Sequence, residues 1–88
     1  MNIIRLYTTS SCPYCDAAKR LFKSLGLAYE EINLESKHEE RQRLSDENGG
    51  WRTVPMIFVG DKFLGGFNDV KAIHDKGAFL PMVHGTKT

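Results

Sequence analysis

The pattern of apolar and polar positions along the chain divides it into seven predicted elements. Short apolar or alternating runs predict four β-strands, at residues 3–7, 27–34, 56–59 and 62–65. Apolar residues at a helical period predict helices at about residues 13–25 and 68–76. A mostly charged segment around Leu44 predicts a further, solvated helix at about residues 36–48. The predicted order is therefore βαβαββα, followed by an apolar tail at residues 78–83 that packs back on the domain.

The connections between these elements set the topology. The first two strands are joined through a helix, so we expect them to be parallel with a right-handed crossover. Only Gly60 and Asp61 separate the last two strands, which indicates an antiparallel hairpin. The result is an α/β fold, a mixed four-stranded sheet with helices on both faces. Because 88 residues leave room for one modest core, residues 1–88 are expected to form a single domain.

Composition and charge narrow the class of protein. A hydrophobic share of 41% is ordinary for a globular chain and argues against disorder. Twelve basic and eleven acidic residues give a net charge of +1, so electrostatics predict neither a nucleic-acid nor a membrane partner. The N-terminal residues lack the apolar stretch of a signal peptide, and no run approaches the ~20 residues that span a bilayer. We therefore expect a cytoplasmic protein.

Cys12 and Cys15 are the only cysteines, and their close spacing raises three possibilities. A tetrahedral zinc site needs four ligands, and the three histidines are scattered far along the sequence, so no metal is expected. A structural disulfide would close a very short loop and would constrain the unfolded chain very little. In a cytosolic protein such a pair is more often catalytic, which favours a redox function.

The position of the pair at the start of a predicted helix gives this redox function a mechanism. Pro13 suits the first helical position, which places Cys12 at or near the N-cap. Unpaired backbone N–H groups and the helix dipole there lower a thiol pKa from about 8.5 to about 3.5–7.5. Cys15 follows on the same helical face, where it should be more buried. We therefore expect Cys12 to be the nucleophile and Cys15 to resolve its mixed disulfides.

Three motifs in order resemble those of one known family. CPYC at residues 12–15, RTVP at residues 52–55 and GGFND at residues 65–69 are similar to the dithiol, cis-proline and last-helix motifs of glutaredoxins. The resemblance covers nearly the whole chain. It implies a thioredoxin-like fold, with glutathione as the co-substrate.

The resemblance also implies which residues bind glutathione. A cis peptide bond before Pro55 would let the backbone of Val54 pair with the tripeptide as an added strand does. Backbone N–H groups at the start of the last helix would bind the γ-glutamyl carboxylate, and Asp69 its ammonium group. Without the resemblance, Pro55 is an ordinary trans proline that opens a strand, while Asn68 and Asp69 cap the helix. The implied glutathione contacts are Tyr14, Gln42, Thr53, Val54, Pro55, Gly66, Phe67, Asn68 and Asp69.

Three positions need separate comment. Gln42 aligns with a family position that contacts the glycine carboxylate of glutathione, and alone it would be a solvated helix residue. Thr9 stands where many relatives carry a lysine that helps to hold glutathione. Trp51 is similar to a tryptophan of the monothiol, iron–sulfur branch of the family, and equally fits a packing residue beside the preceding glycine turn.

The resemblance implies a glutathione-dependent thiol–disulfide oxidoreductase that acts on glutathionylated or disulfide-bonded proteins. We expect it to be a monomer. The first alternative is a dimer that binds a [2Fe–2S] cluster through one cysteine of each chain and glutathione. The second alternative is an electron donor that thioredoxin reductase reduces.

Overall fold

The computed structural model describes residues 2–85 and contains eight elements. Met1 and residues 86–88, which the predicted domain includes, lie outside the described part. The elements in chain order are β1 (Ile4–Thr8), α1 (Pro13–Ser24), β2 (Glu30–Asn33), α2 (His38–Glu47), β3 (Met56–Val59), β4 (Lys62–Gly65), α3 (Phe67–Asp75) and α4 (Phe79–His84). No helix within residues 2–85 is long and apolar enough to cross a membrane.

The four strands form one mixed sheet in the order β2-β1-β3-β4. β1 and β2 are parallel, whereas β3 is antiparallel to both β1 and β4. These pairings confirm the predicted sheet. They also bring the end of β1, which leads to the cysteines, beside the start of β3, which follows Pro55.

Helices cover both faces of the sheet. On one face, α1, α3 and α4 contribute to a core that includes Phe22, Val70 and Phe79, all with no solvent exposure. On the other face, Leu44 of α2 packs with Tyr7 and Met56. The helix with the mostly charged sequence therefore has a single buried apolar anchor, as its pattern predicts.

Two elements differ from their predicted form. The predicted strand at residues 27–34 is paired only at Glu30–Asn33, opposite Arg5–Thr8 of β1, and the N–H of Leu27 instead donates to the Phe22 carbonyl at the end of α1. The tail at residues 78–83 packs back as predicted, but most of it is helical. Pro81 lies in the first turn of α4, where a missing N–H disrupts no helical hydrogen bond.

Candidate functional site

The cysteine pair lies at the N-terminus of α1. Cys12 is the N-cap residue, Pro13 occupies the first turn, and Cys12 and Cys15 form a disulfide with Cα atoms 5.2 Å apart. The backbone N–H of Cys15 donates a hydrogen bond to Cys12 Sγ over 3.1 Å. The predicted N-cap position is thus confirmed, and Cys12 Sγ accepts one of the otherwise unpaired N–H groups of the helix start.

The two cysteine residues differ in solvent exposure. Cys12 is 9% exposed, whereas Cys15 is 1% exposed because it lies inside the first turn against the core. Cys12 is therefore the more accessible cysteine of the pair.

The segment before β3 lies beside Cys12. The Val54–Pro55 peptide bond is cis, as the resemblance implies. Cys12 Sγ lies 3.7 Å from the carbonyl oxygen of Val54, and Pro55 is fully buried. The backbone of Val54 is consequently next to the sulfur of Cys12.

The start of α3 forms another wall of the site. The N–H of Gly66, the N-cap residue, donates to Asp69 Oδ2 over 2.9 Å. The first hydrogen bond within the helix runs from the N–H of Val70 to the Gly66 carbonyl, at 3.2 Å. The N–H groups of Phe67, Asn68 and Asp69 precede that bond, so this end of the helix has donors for an anion.

A cavity of about 430 Å³, here called the groove, joins these walls. It contains every predicted glutathione contact except Gln42, together with Trp51. The lining residues are Tyr14, Trp51, Thr53, Val54, Pro55, Gly66, Phe67, Asn68 and Asp69. Tyr14 is 57% exposed and its ring centroid lies 6.4 Å from that of Phe67, so two aromatic rings flank the opening.

Gln42 is placed outside the groove. Its Nε2 donates to Asp46 Oδ1, one turn further along α2, over 2.9 Å. It lines a neighbouring cavity that shares Trp51 with the groove. The structure therefore brings Gln42 close to the groove without making it part of the wall.

Trp51 is the groove residue absent from the predicted contacts. Its ring packs edge-on against Phe63, with centroids 5.3 Å apart. Its Nε1 is buried and has no hydrogen-bond partner within residues 2–85. The available sequence signal was a large aromatic residue four positions before the cis proline, which packing alone could equally explain.

An ion pair fixes α1 against the edge of the sheet. Lys19 Nζ lies 2.8 Å from Glu31 Oε2, and the hydroxyl of buried Thr8 donates to the same oxygen over 2.8 Å. The hydrogen bond from Lys19 holds the pKa of Glu31 below its ordinary value of 4.5. The same bond raises the pKa of Lys19 above its ordinary value of 10.5. Both charges are therefore kept over a wide pH range.

The site contains no clear metal-binding cluster in the part of the chain that the structure describes. Within residues 2–85, no three His, Cys, Asp or Glu side chains come together as they would around a metal ion. The cysteine pair lies between the N-termini of α1 and α3, beside half-buried Val54.

Comparison with known proteins agrees with this arrangement. The glutaredoxin family model matches residues 4–64. A probable glutaredoxin of Synechocystis is 33% identical over 81 residues, which cover 92% of each chain. The mitochondrial glutaredoxin-2 of Pongo abelii is 37% identical over 86 residues, 94% of this chain and 53% of that protein. The chain thus spans about half the length of this second relative.

A solved structure extends the likeness to three dimensions. The crystal structure of a buckwheat glutaredoxin–glutathione complex superimposes with a TM-score of 0.88 at 34% identity, and covers 96% of this chain and 78% of that one. Its fold is the thioredoxin-like arrangement that the sequence predicted. With the Cys12–Cys15 pair at a helix N-terminus, these likenesses support thiol–disulfide oxidoreductase activity. The chain belongs to the glutaredoxin family.

Proposed function

We propose that this protein is a glutathione-dependent thiol–disulfide oxidoreductase, with Cys12 as the nucleophile and Cys15 as the resolving residue. One observation carries the proposal. The groove beside Cys12 is lined by all the residues that the resemblance assigns to glutathione except Gln42, and they come from three segments of the chain. The buckwheat relative, similar over 96% of this chain, is described as a complex with glutathione.

Two features of the groove match the chemistry of the tripeptide. Glutathione has a peptide backbone and a γ-glutamyl carboxylate. The backbone of Val54 offers a place for the peptide to pair as an extended strand beside the sulfur of Cys12. The free N–H groups at the start of α3 offer hydrogen bonds and a favourable dipole to the carboxylate.

The reaction on a glutathionylated protein takes two exchanges. The Cys12 thiolate attacks the glutathione sulfur of the mixed disulfide, which forms a Cys12–glutathione disulfide and releases the protein thiolate. The thiolate of a second glutathione then attacks the glutathione sulfur of that intermediate. Glutathione disulfide leaves, and Cys12 returns as a thiolate. The hydrogen bond from the Cys15 N–H favours the Cys12 thiolate, which attacks in the first exchange and leaves in the second.

Reduction of a disulfide within a protein also needs Cys15. Cys12 attacks one sulfur and forms a mixed disulfide with the protein. The Cys15 thiolate then attacks Cys12 Sγ, and the reduced protein leaves. The product is the Cys12–Cys15 disulfide that the structure contains, and two glutathione molecules reduce it again.

The test is a coupled assay with glutathione, glutathione reductase and a small glutathionylated disulfide. Cys12→Ser should abolish activity, because a hydroxyl remains protonated at neutral pH. Cys15→Ser should keep the removal of glutathione and lose most reduction of protein disulfides. An alkylation rate measured against pH should reveal one acidic cysteine, absent in Cys12→Ser.

Several results would count against the proposal. Equal loss of glutathione removal in both variants would refute the division between the two cysteines. No turnover by the wild-type protein would refute glutathione dependence. Visible absorbance after anaerobic purification would favour the cluster-binding dimer instead. Reduction by thioredoxin reductase in place of glutathione would favour the second alternative, an electron donor that this reductase serves.

A further inference from the structure

The loop at residues 9–11 carries the chain from β1 to Cys12. It must deliver Cys12 to the N-cap of α1, where its sulfur lies 3.1 Å from the backbone nitrogen of Cys15. Neither a strand nor a helix fixes the backbone of these three residues. Contacts from outside the loop therefore determine how firmly Cys12 is held in position.

One such contact comes from Glu35, two residues after the end of β2. Glu35 Oε1 accepts a hydrogen bond from the backbone N–H of Ser10 over 2.9 Å. Ser10 is two residues before Cys12, so their Cα atoms are at most about 7 Å apart. The bond thus fastens the middle of the loop to the segment that follows the neighbouring strand.

Glu35 is itself held in place by the residues around it. Its N–H donates to Asn33 Oδ1 over 2.8 Å. Leu34, between the two, is 1% exposed, and its N–H donates to the carbonyl of Thr8 over 2.7 Å. Asn33 Nδ2 also donates to Ser10 Oγ over 3.5 Å, which is a long bond. Asn33 and Glu35 therefore contact both the side chain and the backbone of Ser10 from a segment that the sheet anchors.

This contact has two effects of opposite sign on the Cys12 thiolate. A loop held in place keeps Cys12 Sγ where it accepts the Cys15 N–H, which favours the thiolate. The negative charge of Glu35 disfavours a second negative charge nearby. Because Glu35 is exposed, water screens its charge, so we expect the effect of position to be the larger one.

Resting on the proposed function, we propose that Glu35 is a positioning residue for thiol–disulfide exchange. Its carboxylate holds the loop through the Ser10 N–H, and the loop in turn keeps Cys12 at the N-cap of α1. Glu35 takes part in no bond-forming step. The two exchanges at Cys12 proceed as described above, and Glu35 determines how often Cys12 is correctly placed for them.

The first experiment measures the rate at which iodoacetamide alkylates Cys12 as a function of pH in the reduced protein. A Cys15→Ser background ensures that only Cys12 reacts. Glu35→Ala and Glu35→Gln both remove the charge, but only glutamine keeps an oxygen that can accept the Ser10 N–H. The pKa of the Cys12 thiol should be higher in the alanine variant. Below that pKa, its alkylation should be about two- to fivefold slower than that of the glutamine variant.

Turnover of a small glutathionylated disulfide should change in the same way in proteins that retain Cys15. The kcat/KM for this substrate, which reports the attack by Cys12, should fall about two- to fivefold in Glu35→Ala and be retained in Glu35→Gln. Asn33→Ala removes the acceptor of the Glu35 N–H and should give a smaller loss in the same direction.

Glu30→Ala is the matched control. Glu30 is an exposed glutamate at the other end of β2, and its carboxylate pairs with Arg5 at 3.6 Å. Its removal takes away the same charge and the same side-chain atoms without loosening the loop. Both the alkylation profile and kcat/KM should therefore match those of the wild-type protein.

The outcomes separate this inference from the function on which it rests. Equal alkylation profiles in Glu35→Ala and Glu35→Gln overturn the inference and leave the proposed function in place. If Glu35→Ala fails to fold, an alkylation rate in Asn33→Ala equal to that in Glu30→Ala overturns it instead. Absence of turnover by the wild-type protein overturns the proposed function. Because alkylation needs no glutathione, it still decides whether Glu35 positions Cys12.

Discussion

At the scale of single residues, Asp69 shows how one side chain can serve both folding and binding. Its carboxylate accepts the Gly66 N–H over 2.9 Å, so it caps the start of α3. It also lines the groove and is exposed to solvent. The cap is thus a structural fact, while the contact with the ammonium group of glutathione remains a prediction. A substitution that removes charge but keeps the acceptor can separate the two.

Asp69→Asn should keep the stability of the protein and raise the KM for glutathione. An amide oxygen can still accept the Gly66 N–H, but its neutral group no longer attracts an ammonium ion. Asp69→Ala should raise the KM similarly and also cost about 1 kcal/mol of stability, because the cap is lost. Thermal unfolding and glutathione kinetics measure the two effects. Unchanged glutathione kinetics in Asp69→Asn would show that Asp69 does not contact the ammonium group of glutathione.

Thr9→Lys should strengthen the use of glutathione at low salt. Thr9 is half-buried in the loop before Cys12, where a cation would attract the carboxylates of the tripeptide and the thiolate. We expect kcat/KM for glutathione to rise about two- to fivefold and the gain to shrink as salt screens the charge. Thr9→Gln is the uncharged control. If the lysine variant gains nothing, another cation such as Arg52 already supplies the attraction.

The sequence predicted the positions of side chains better where a motif fixes the backbone than where tertiary packing sets those positions. The residues of the cis-proline segment and of the α3 start lie in the groove because their own backbone forms it. The side chain of Gln42 extends from helix α2, and its direction is set by a hydrogen bond to Asp46, one turn further along the helix. Trp51 enters the groove wall through its contact with Phe63, a residue of β4 that local sequence does not reveal as its neighbour.

At the scale of elements, the site is formed by two helix starts that meet beside a cis proline. α1 places Cys12, and α3 presents its first N–H groups after β4. Gly65 allows the chain to turn from β4 into α3, since its φ of +115° is rarely adopted by other residues. A Cβ at Gly65 would lie 2.6 Å from Asp69 Oδ2, so a side chain would also displace the cap.

Gly65→Ala should therefore destabilise the protein by roughly 2–3 kcal/mol and weaken glutathione binding. The methyl group must push aside the carboxylate that caps α3, in addition to the backbone strain. Gly77→Ala is the matched control, because its φ is +76° and a Cβ there would meet nothing within 4 Å. It should cost only about 1–2 kcal/mol and leave glutathione kinetics intact. Similar behaviour of the two variants in denaturant unfolding and kinetics would disprove the role of the Asp69 contact.

The same scale shows which elements a sequence pattern can define. The bounds predicted for β3 and β4 match the structure, because a two-residue turn and the apolar runs beside it leave little freedom. The strand predicted at residues 27–34 was too long, because Leu27 still hydrogen-bonds to the end of α1 and only Glu30–Asn33 pair with β1. α4 was not predicted because Pro81 argues against a helix, and only its place in the first turn makes it compatible.

At the scale of the whole molecule, a few contacts determine how the helix that carries the cysteines sits on the sheet. α1 packs its apolar face into the core through residues such as Ala18 and Phe22. Its outer edge is held by the ion pair between Lys19 and Glu31 Oε2, and the hydroxyl of Thr8 donates a hydrogen bond to the same oxygen. These side chains join α1, β1 and β2, so the contact stabilises the arrangement that positions Cys12.

The pH dependence of stability should report on this contact. The pKa of Glu31 is held below its ordinary value of 4.5, so its contribution to stability is present above that pH. It is lost as pH falls through the lowered pKa of the folded state. The pKa of Lys19 is raised above 10.5, so its contribution is present below that pH and is lost as pH rises through the raised value.

Glu31→Gln should therefore flatten the fall in melting temperature between about pH 5 and pH 3, relative to the wild-type protein. At neutral pH the free energy of unfolding of the variant should fall by less than about 1 kcal/mol. The side chains of Lys19 and Glu31 are 29% and 34% exposed, so water screens the pair. Glu47→Gln is a matched control, since Glu47 pairs with Arg43 at 3.3 Å but is 56% exposed and joins residues of a single helix. Thermal unfolding across this pH range measures both. The same acid slope in Glu31→Gln and the wild-type protein would show that Glu31 does not couple α1 to the sheet.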